Sequence, residues 1–304
     1  MYKKRNYRTV TWVDSENPTK EEARQMMDQF NLEPQIAQDI LLPTYKDKMI
    51  VHKDYIYFVL HFPAFRHTHT KSYSQEIDFV LGRDFIITNR YETIDALDKY
   101  SRIFETNTIL DKNETEIGSG EIFLSMIKTV YQTLSDELDS ISTSLAEVEK
   151  KIFAGKEKEM VIELSSVARQ LINFNHIIAS HGDILEQLKH NGTQIFSPNF
   201  ALELDSITNE YFKISKILEN LKALMLELKD TNDSLLSTKT NETMKVLTVF
   251  TFLALPFSVI TGFFQMNTAY NTDINPNAQW LVIVAIEITV TLIIFAIAKK
   301  KKWF

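Results

Sequence analysis

Between Val246 and Phe264 the chain carries no charged residue. At a rise of about 1.5 Å per residue, a helix over that run is long enough to cross the ~30 Å hydrocarbon core of a bilayer. A second apolar run, Trp280 to Ala298, is interrupted only by Glu287. The polar stretch Thr268 to Gln279 between them is too short for a folded domain and predicts a tight extracytoplasmic loop. Lys239 and Lys245 precede the first run, Lys299 to Lys302 follow the second, and the loop holds neither Lys nor Arg. By the positive-inside rule both termini are expected in the cytoplasm, with the chain a multi-pass protein of the cell membrane, inner or plasma.

A length of 304 residues allows one or two domains. The formal charge of −7 argues against a nucleic-acid partner, which would call for an accessible patch of Lys and Arg. The absence of Cys removes disulfides, thiol nucleophiles and Cys-ligated zinc. The start, Met-Tyr-Lys-Lys-Arg-Asn, leads into polar sequence and predicts no secretory signal.

Arg8 to Val13 alternates and reads as a strand. Thr19 and Glu22 have capping-box spacing, so a helix is expected from about Lys20 to Phe30, and a short one after Pro34 to about Leu41. Met49–His52, Tyr55–His61, Gln75–Leu81 and Phe85–Asn89 read as strands, and Thr93–Phe104 as a helix. Residues 1–110 are thus expected to form a cytoplasmic α/β subdomain on a small mixed sheet. From 111 to 197 the pattern is helical, with Phe123, Ile127, Val130, Leu134, Leu138, Ile141, Leu145, Val148 and Ile152 on one face. A second helix, Glu157 to about Leu188, would complete an antiparallel hairpin through Leu164, Val167, Leu171, Phe174 and Ile178.

Residues 199–265 contain one Pro, Pro256, and one Gly, Gly262. They are expected to form a single stalk helix that enters the membrane at about 245–265, followed by the loop at 268–279, a second span at 280–298 and a basic tail at 299–304. Ile207, Tyr211, Ile214, Leu218, Leu221, Met225, Leu228 and Leu235 mark a heptad seam that asks for neighbouring helices; packing within one subunit explains part of it, and a ring of identical stalks explains its length better. Almost opposite runs another line: Asp230, Ser234, Ser237, Asn241, Met244, Thr248, Thr251, Leu255, Ser258, Gly262 and Gln265. Within the membrane this line is small and hydroxyl-rich. Lipid disfavours that mixture and a narrow wet pore favours it, although small residues also serve close helix packing.

The segment resembles the membrane part of the CorA family of divalent metal transporters. The likeness rests on Asn-Glu-x-Met-Lys-Val-Leu-Thr (Asn241 to Thr248), Pro256, Gly262, the ending Met266-Asn267, a short outer loop and a basic tail. It covers the chain in order of parts and is sharp from about Asp230. Where the family has Gly-Met-Asn, this chain has Gln265, so a Gln-Met-Asn variant is expected. The resemblance implies an α+β cytoplasmic domain on a very long stalk helix with two C-terminal spans, assembled as a homo-pentameric funnel. It implies conduction of hydrated Mg²⁺, and of Co²⁺ or Ni²⁺, with no cofactor beyond transported and regulatory Mg²⁺.

On this reading Asn267 offers a neutral carbonyl to the water shell of Mg²⁺, an ion that dehydrates reluctantly, and Met266 buttresses the turn. Met244 and Leu247 match the family's hydrophobic constriction, Asp230 its inner acidic ring, and Lys299, Lys300, Lys301 and Lys302 a basic collar. A regulatory metal would use carboxylates such as Asp78, Asp84, Asp205 or Glu203, while Ser206 stands where the stalk's regulatory carboxylate is expected. No ATP-binding Gly-x-x-x-x-Gly-Lys-Ser/Thr run is present and no enzymatic activity is expected.

Two rival readings stay open. Gln265 and Glu287 suit a zinc or other transition-metal transporter, proton-coupled, although a Glu hydrogen-bonded between helices accounts for Glu287 as well. The altered signature also suits a non-conducting, membrane-anchored sensor or scaffold. His67-Thr68-His69, two His in a polar loop without a third ligand, reads as exposed rather than as a metal site.

Overall fold

The computed structural model describes residues 2–64, 74–110, 118–196, 198–265 and 276–300. The chain divides into two units, Met1–Lys229 and Asp230–Phe304.

In the first unit the strands are β1 (Tyr2–Tyr7), β2 (Val10–Glu16), β3 (Lys48–Val51), β4 (Tyr55–Pro63), β5 (Ser74–Gly82) and β6 (Phe85–Arg90). They form one sheet of order β1-β2-β6-β5-β4-β3. Only β2 and β6 run parallel among these pairings, so the sheet is mixed as expected. The strand expected at Arg8 to Val13 is β2 from Val10 onward, the second arm of a hairpin whose first arm, β1, was not expected. Arg8 sits at φ 52° in its turn, and β1 with its Lys3-Lys4-Arg5 run forms a charged edge. Without an apolar alternation β1 has no pattern to read, and its charges keep an exposed edge from pairing with other chains.

Helices α1 (Lys20–Phe30) and α2 (Pro34–Asp39) cover one face of the sheet. Met26, Leu32, Ile36 and Ile40 pack there with Val13, Tyr57, Val59, Val80 and Ile87. Thr19 and Glu22 form the expected capping box, with reciprocal bonds of 3.2 and 2.9 Å. The other face receives α3 (Asp95–Leu110) and α4 (Ser119–Phe153). Trp12 meets Tyr100 and Phe104, while Phe58 and Phe79 stack on each other against the edge of Phe123.

All nine apolar positions read along α4 are buried. Gly155, at φ 88°, reverses the chain into α5 (Glu157–Ile178), whose five expected apolar positions are buried as well. The helix expected to continue to Leu188 breaks at Ala179-Ser180, and α6 (His181–Gly192) follows. The break is held by polar contacts that periodicity does not reveal. Ser180 donates to Asp47, and His181, wholly buried, joins the Tyr131 hydroxyl at 3.0 Å and the His61 carbonyl at 2.8 Å. Because a carbonyl only accepts and burial keeps the imidazole neutral, Nε2 of His181 carries its hydrogen and Nδ1 accepts from Tyr131.

α7 (Pro198–Gln265) is a single helix of 68 residues, about 100 Å long. Phe200, Leu204, Ile207, Ile214, Leu218, Leu221, Met225 and Leu228 are all buried within the one chain. Six of the eight expected seam residues are thus covered by the chain itself, while Tyr211 and Leu235 are only half-buried, so packing within one chain accounts for most of the seam without a ring of stalks. The same 4-3 spacing continues through Asn232, which is only 1% exposed and whose two amide atoms have no hydrogen-bonding partner among the described residues.

In the second unit α7 ends and α8 (Pro276–Lys300) follows. Every residue from Ser237 to Thr248 is exposed. Among the described residues α7 is the one helix long and apolar enough to cross a membrane, and the apolar part of α8 is Val284–Ile297. The expected second span falls on α8, with Lys299 and Lys300 in its last turn.

Candidate ion pathway

From Ser237 to Gly262, the positions of α7 that are not exposed are Val249, Leu253, Pro256 and Ile260, spaced by four, three and four. At 100° per residue they share one face. Met244, Leu247, Thr248, Thr251, Leu255, Ser258 and Gly262 lie roughly opposite, and all are exposed. Met244, Leu247 and Leu255 are 55%, 58% and 56% exposed. A Cβ added at Gly262 would meet nothing within 4 Å, so this face is open.

The hydroxyls on the open face are oriented by their own helix. Thr248 donates to the Met244 carbonyl at 2.8 Å, Thr251 to Leu247 at 3.0 Å, and Ser258 to Ala254 at 3.4 Å. With each hydrogen engaged, what remains is an oxygen with acceptor capacity. Such oxygens suit a hydrated cation, whose waters donate outward. The same bonds also let a hydroxyl sit in apolar surroundings without cost, so hydrogen bonding alone does not choose between pore and helix packing.

Gln265 is the last residue of α7, and Asp230 is exposed on it. Met266, Asn267, Lys301 and Lys302 lie outside the described residues, as do His67, Thr68 and His69. Lys299 and Lys300 are exposed. Glu287 accepts a hydrogen bond from Thr261 at 2.8 Å, the interhelical contact weighed for it from sequence.

The regulatory carboxylates are not brought together. Asp84 is exposed in the β5–β6 turn, and Asp205 pairs with Lys189 at 2.5 Å. Asp78 is buried in the sheet, accepting from Asn89 at 2.8 Å and from Tyr91 at 3.1 Å. Burial raises its pKa well above the usual carboxylate range, outweighing the hydrogen bond from Asn89, and the neighbouring Glu76 adds to the rise. A buried carboxyl whose pKa is raised in this way is a poor metal ligand. Among the described residues no three His, Asp or Glu side chains are grouped so as to hold a metal. Glu203 and Ser206 are exposed.

A charged cluster that the sequence reading missed lies beside Asp78. His61 Nδ1 is 2.6 Å from Asp47 and its Nε2 is 3.0 Å from the Thr44 carbonyl and 3.4 Å from Glu76. Burial alone would lower the imidazole pKa, but the hydrogen bonds to Asp47, Glu76 and Thr44 outweigh it and raise it to about 10. Glu76 also accepts the Thr44 amide, and these contacts overcome its burial to lower its own pKa. The available signal was the facing of His61 and Glu76 across β4 and β5, which requires the register to be known.

The chain is similar to the cobalt/magnesium transport protein CorA of Thermotoga maritima, at 22% identity over 301 residues, covering 98% of this chain and 85% of the relative. It is likewise similar to the cobalt/magnesium transport protein CorA of Methanocaldococcus jannaschii, at 21% identity over 300 residues, covering 98% and 92%. Its fold matches the complete structure of the CorA magnesium transporter from Methanocaldococcus jannaschii with a TM-score of 0.82, at 19% identity and covering 97% and 92% of the two chains. The sequence profile described as "CorA-like Mg2+ transporter protein" matches residues 7–301, and the chain belongs to that family.

Proposed function

We propose that the chain is a membrane channel or transporter for divalent cations that conducts hydrated Mg²⁺, and Co²⁺ or Ni²⁺, down the electrochemical gradient. Five copies would surround a pore lined by the open face of α7, with both termini in the cytoplasm. The observation that carries this reading is the exposed, small and hydroxyl-bearing face of α7 opposite its covered face. Asn267 would hold the water shell at the outer mouth, Gln265 would alter that mouth relative to the family's Gly, and Met244 and Leu247 would gate by dewetting. Asp230 would concentrate cations at the inner end, and Lys299 to Lys302 would form a basic collar. No fuel is required for inward flow, because a divalent ion gains about 4.6 kcal/mol per 100 mV, twice the value for one charge.

Any regulatory metal would lie between cytoplasmic domains of neighbouring copies, with the exposed Asp84 and the half-buried Asp205 as its candidate ligands. The test is rescue of a Mg²⁺-auxotrophic host at low Mg²⁺, with Asn267→Ala and Asp230→Ala as loss variants and Gln265→Gly as the comparison. Rescue by the wild type that both loss variants abolish is the expected result. Growth unaffected by both would favour a scaffold. Proton-dependent Zn²⁺ flux in proteoliposomes, without Mg²⁺ flux, would favour a transition-metal carrier.

A further inference from the structure

Among the threonines of the apolar helices, Thr248, Thr251, Thr289 and Thr291 donate to the carbonyl four residues back on their own helix. Thr261 donates across to Glu287 Oε1 at 2.8 Å. Glu287 is itself one of the partly covered residues of α8. A carboxyl in the middle of an apolar helix is costly and is retained where it has a defined partner. Thr261 immediately precedes Gly262 on the open face and stands four residues, about 6 Å of rise, before Gln265. Whatever fixes the rotation of α7 at Thr261 therefore fixes the facing of Ser258 and Gly262 and of the turn that ends at Gln265.

We propose that Glu287 is a positioning residue for the pore: by accepting the Thr261 hydroxyl across the two membrane helices, it sets the rotation of the last turns of α7 and through them the choice among divalent ions. The proposal rests on the transport reading above. The replacement of the family's Gly by Gln265 gives the tie its purpose. On the transport reading Gln265 belongs to the last turn of α7 at the pore mouth, so a rotation of that turn bears on the ion's path.

The experiment uses the full chain in proteoliposomes, measuring Mg²⁺ and Co²⁺ influx for wild type, Thr261→Val, Thr261→Ser, Glu287→Gln and Glu287→Ala. An interhelical hydrogen bond in a membrane corresponds to about a threefold change in an equilibrium. Thr261→Val and Glu287→Ala are expected to shift the Mg²⁺/Co²⁺ flux ratio about threefold in the same direction, and the double variant no further. Thr261→Ser keeps the donor and Glu287→Gln keeps an acceptor, so both are expected to retain the wild-type ratio. An unchanged ratio in every variant, or an equal fall in both fluxes, would overturn the proposal, because mere packing lowers all ions alike. Glu287→Gln behaving as Glu287→Ala would also overturn it, since charge rather than hydrogen-bond acceptance would then matter. If Glu287→Ala fails to assemble, the contrast of Thr261→Val with Thr261→Ser decides. No flux from the wild type would reject the transport reading itself.

Discussion

His61 is an imidazolium held between two buried carboxylates, and its removal leaves Asp47 and Glu76 without their shared cation. Breaking a buried ion pair from one side costs about 3–5 kcal/mol, so His61→Ala is expected to destabilise the protein by that order in thermal or denaturant melts. The pH dependence follows from the raised pKa. Folding favours the protonated ring, so the stabilisation is complete below the unfolded value of 6.5 and is lost as pH rises through about 10. Wild-type Tm is expected to fall across that window, and the His61→Ala variant to fall less steeply. Asp78 gives the opposite kind of test. Burial favours the neutral form of its carboxyl, which accepts from Asn89 and Tyr91, a role an amide oxygen can fill. Asp78→Asn is therefore expected to change stability by less than about 1.5 kcal/mol and to leave any Mg²⁺-dependent closure intact, read as flux against cytoplasmic Mg²⁺. Loss of that closure would make Asp78 a metal ligand after all.

At the scale of the element, the α4, α5 and α7 seams were legible because one apolar stripe at steps of three and four serves both as a reading rule and as the physical cause of packing. What covers the α7 seam was not legible, since a stripe demands a neighbour without naming it, and here the neighbour is in the same subunit. The α5–α6 break and β1 were hidden for a related reason. One depends on the polar contacts of Ser180 and His181 with groups more than 100 residues distant in sequence, the other on charges that leave no alternation. The candidate pore face was readable as chemistry, while its exposure and the Thr261–Glu287 bond needed coordinates. Asn232 was passed over because it is polar, yet it occupies a seam position with an amide that has no partner among the described residues. An unmet buried polar group costs about 1–3 kcal/mol. Asn232→Leu is therefore expected to raise the unfolding free energy by about 1 kcal/mol or more, read as a higher Tm in detergent. A neutral or lower Tm would show that the amide finds a partner in the assembled protein.

For the whole molecule, the informative region is the bare one. From Ser237 to Thr248 α7 is exposed on every side, and Met244, Val246 and Leu247 are apolar there. An isolated helix with such a surface is unstable in water, so other copies or lipid must cover it. The two coverings make different demands on Met244. If copies of α7 enclose a pore, Met244 and Leu247 form an apolar ring at which water is expelled and ions stop. Replacing Met244 by Asn then wets the ring and is expected to raise Mg²⁺ influx at high cytoplasmic Mg²⁺, where the wild type should be closed. If Met244 faces lipid, the same substitution leaves closure unchanged and acts only on stability, since a polar side chain would then be set in hydrocarbon. Measuring flux and Tm on the same Met244→Asn preparation separates the two. A leak with little loss of Tm places the apolar ring on the ion path, and a fall in Tm with normal closure places it against lipid.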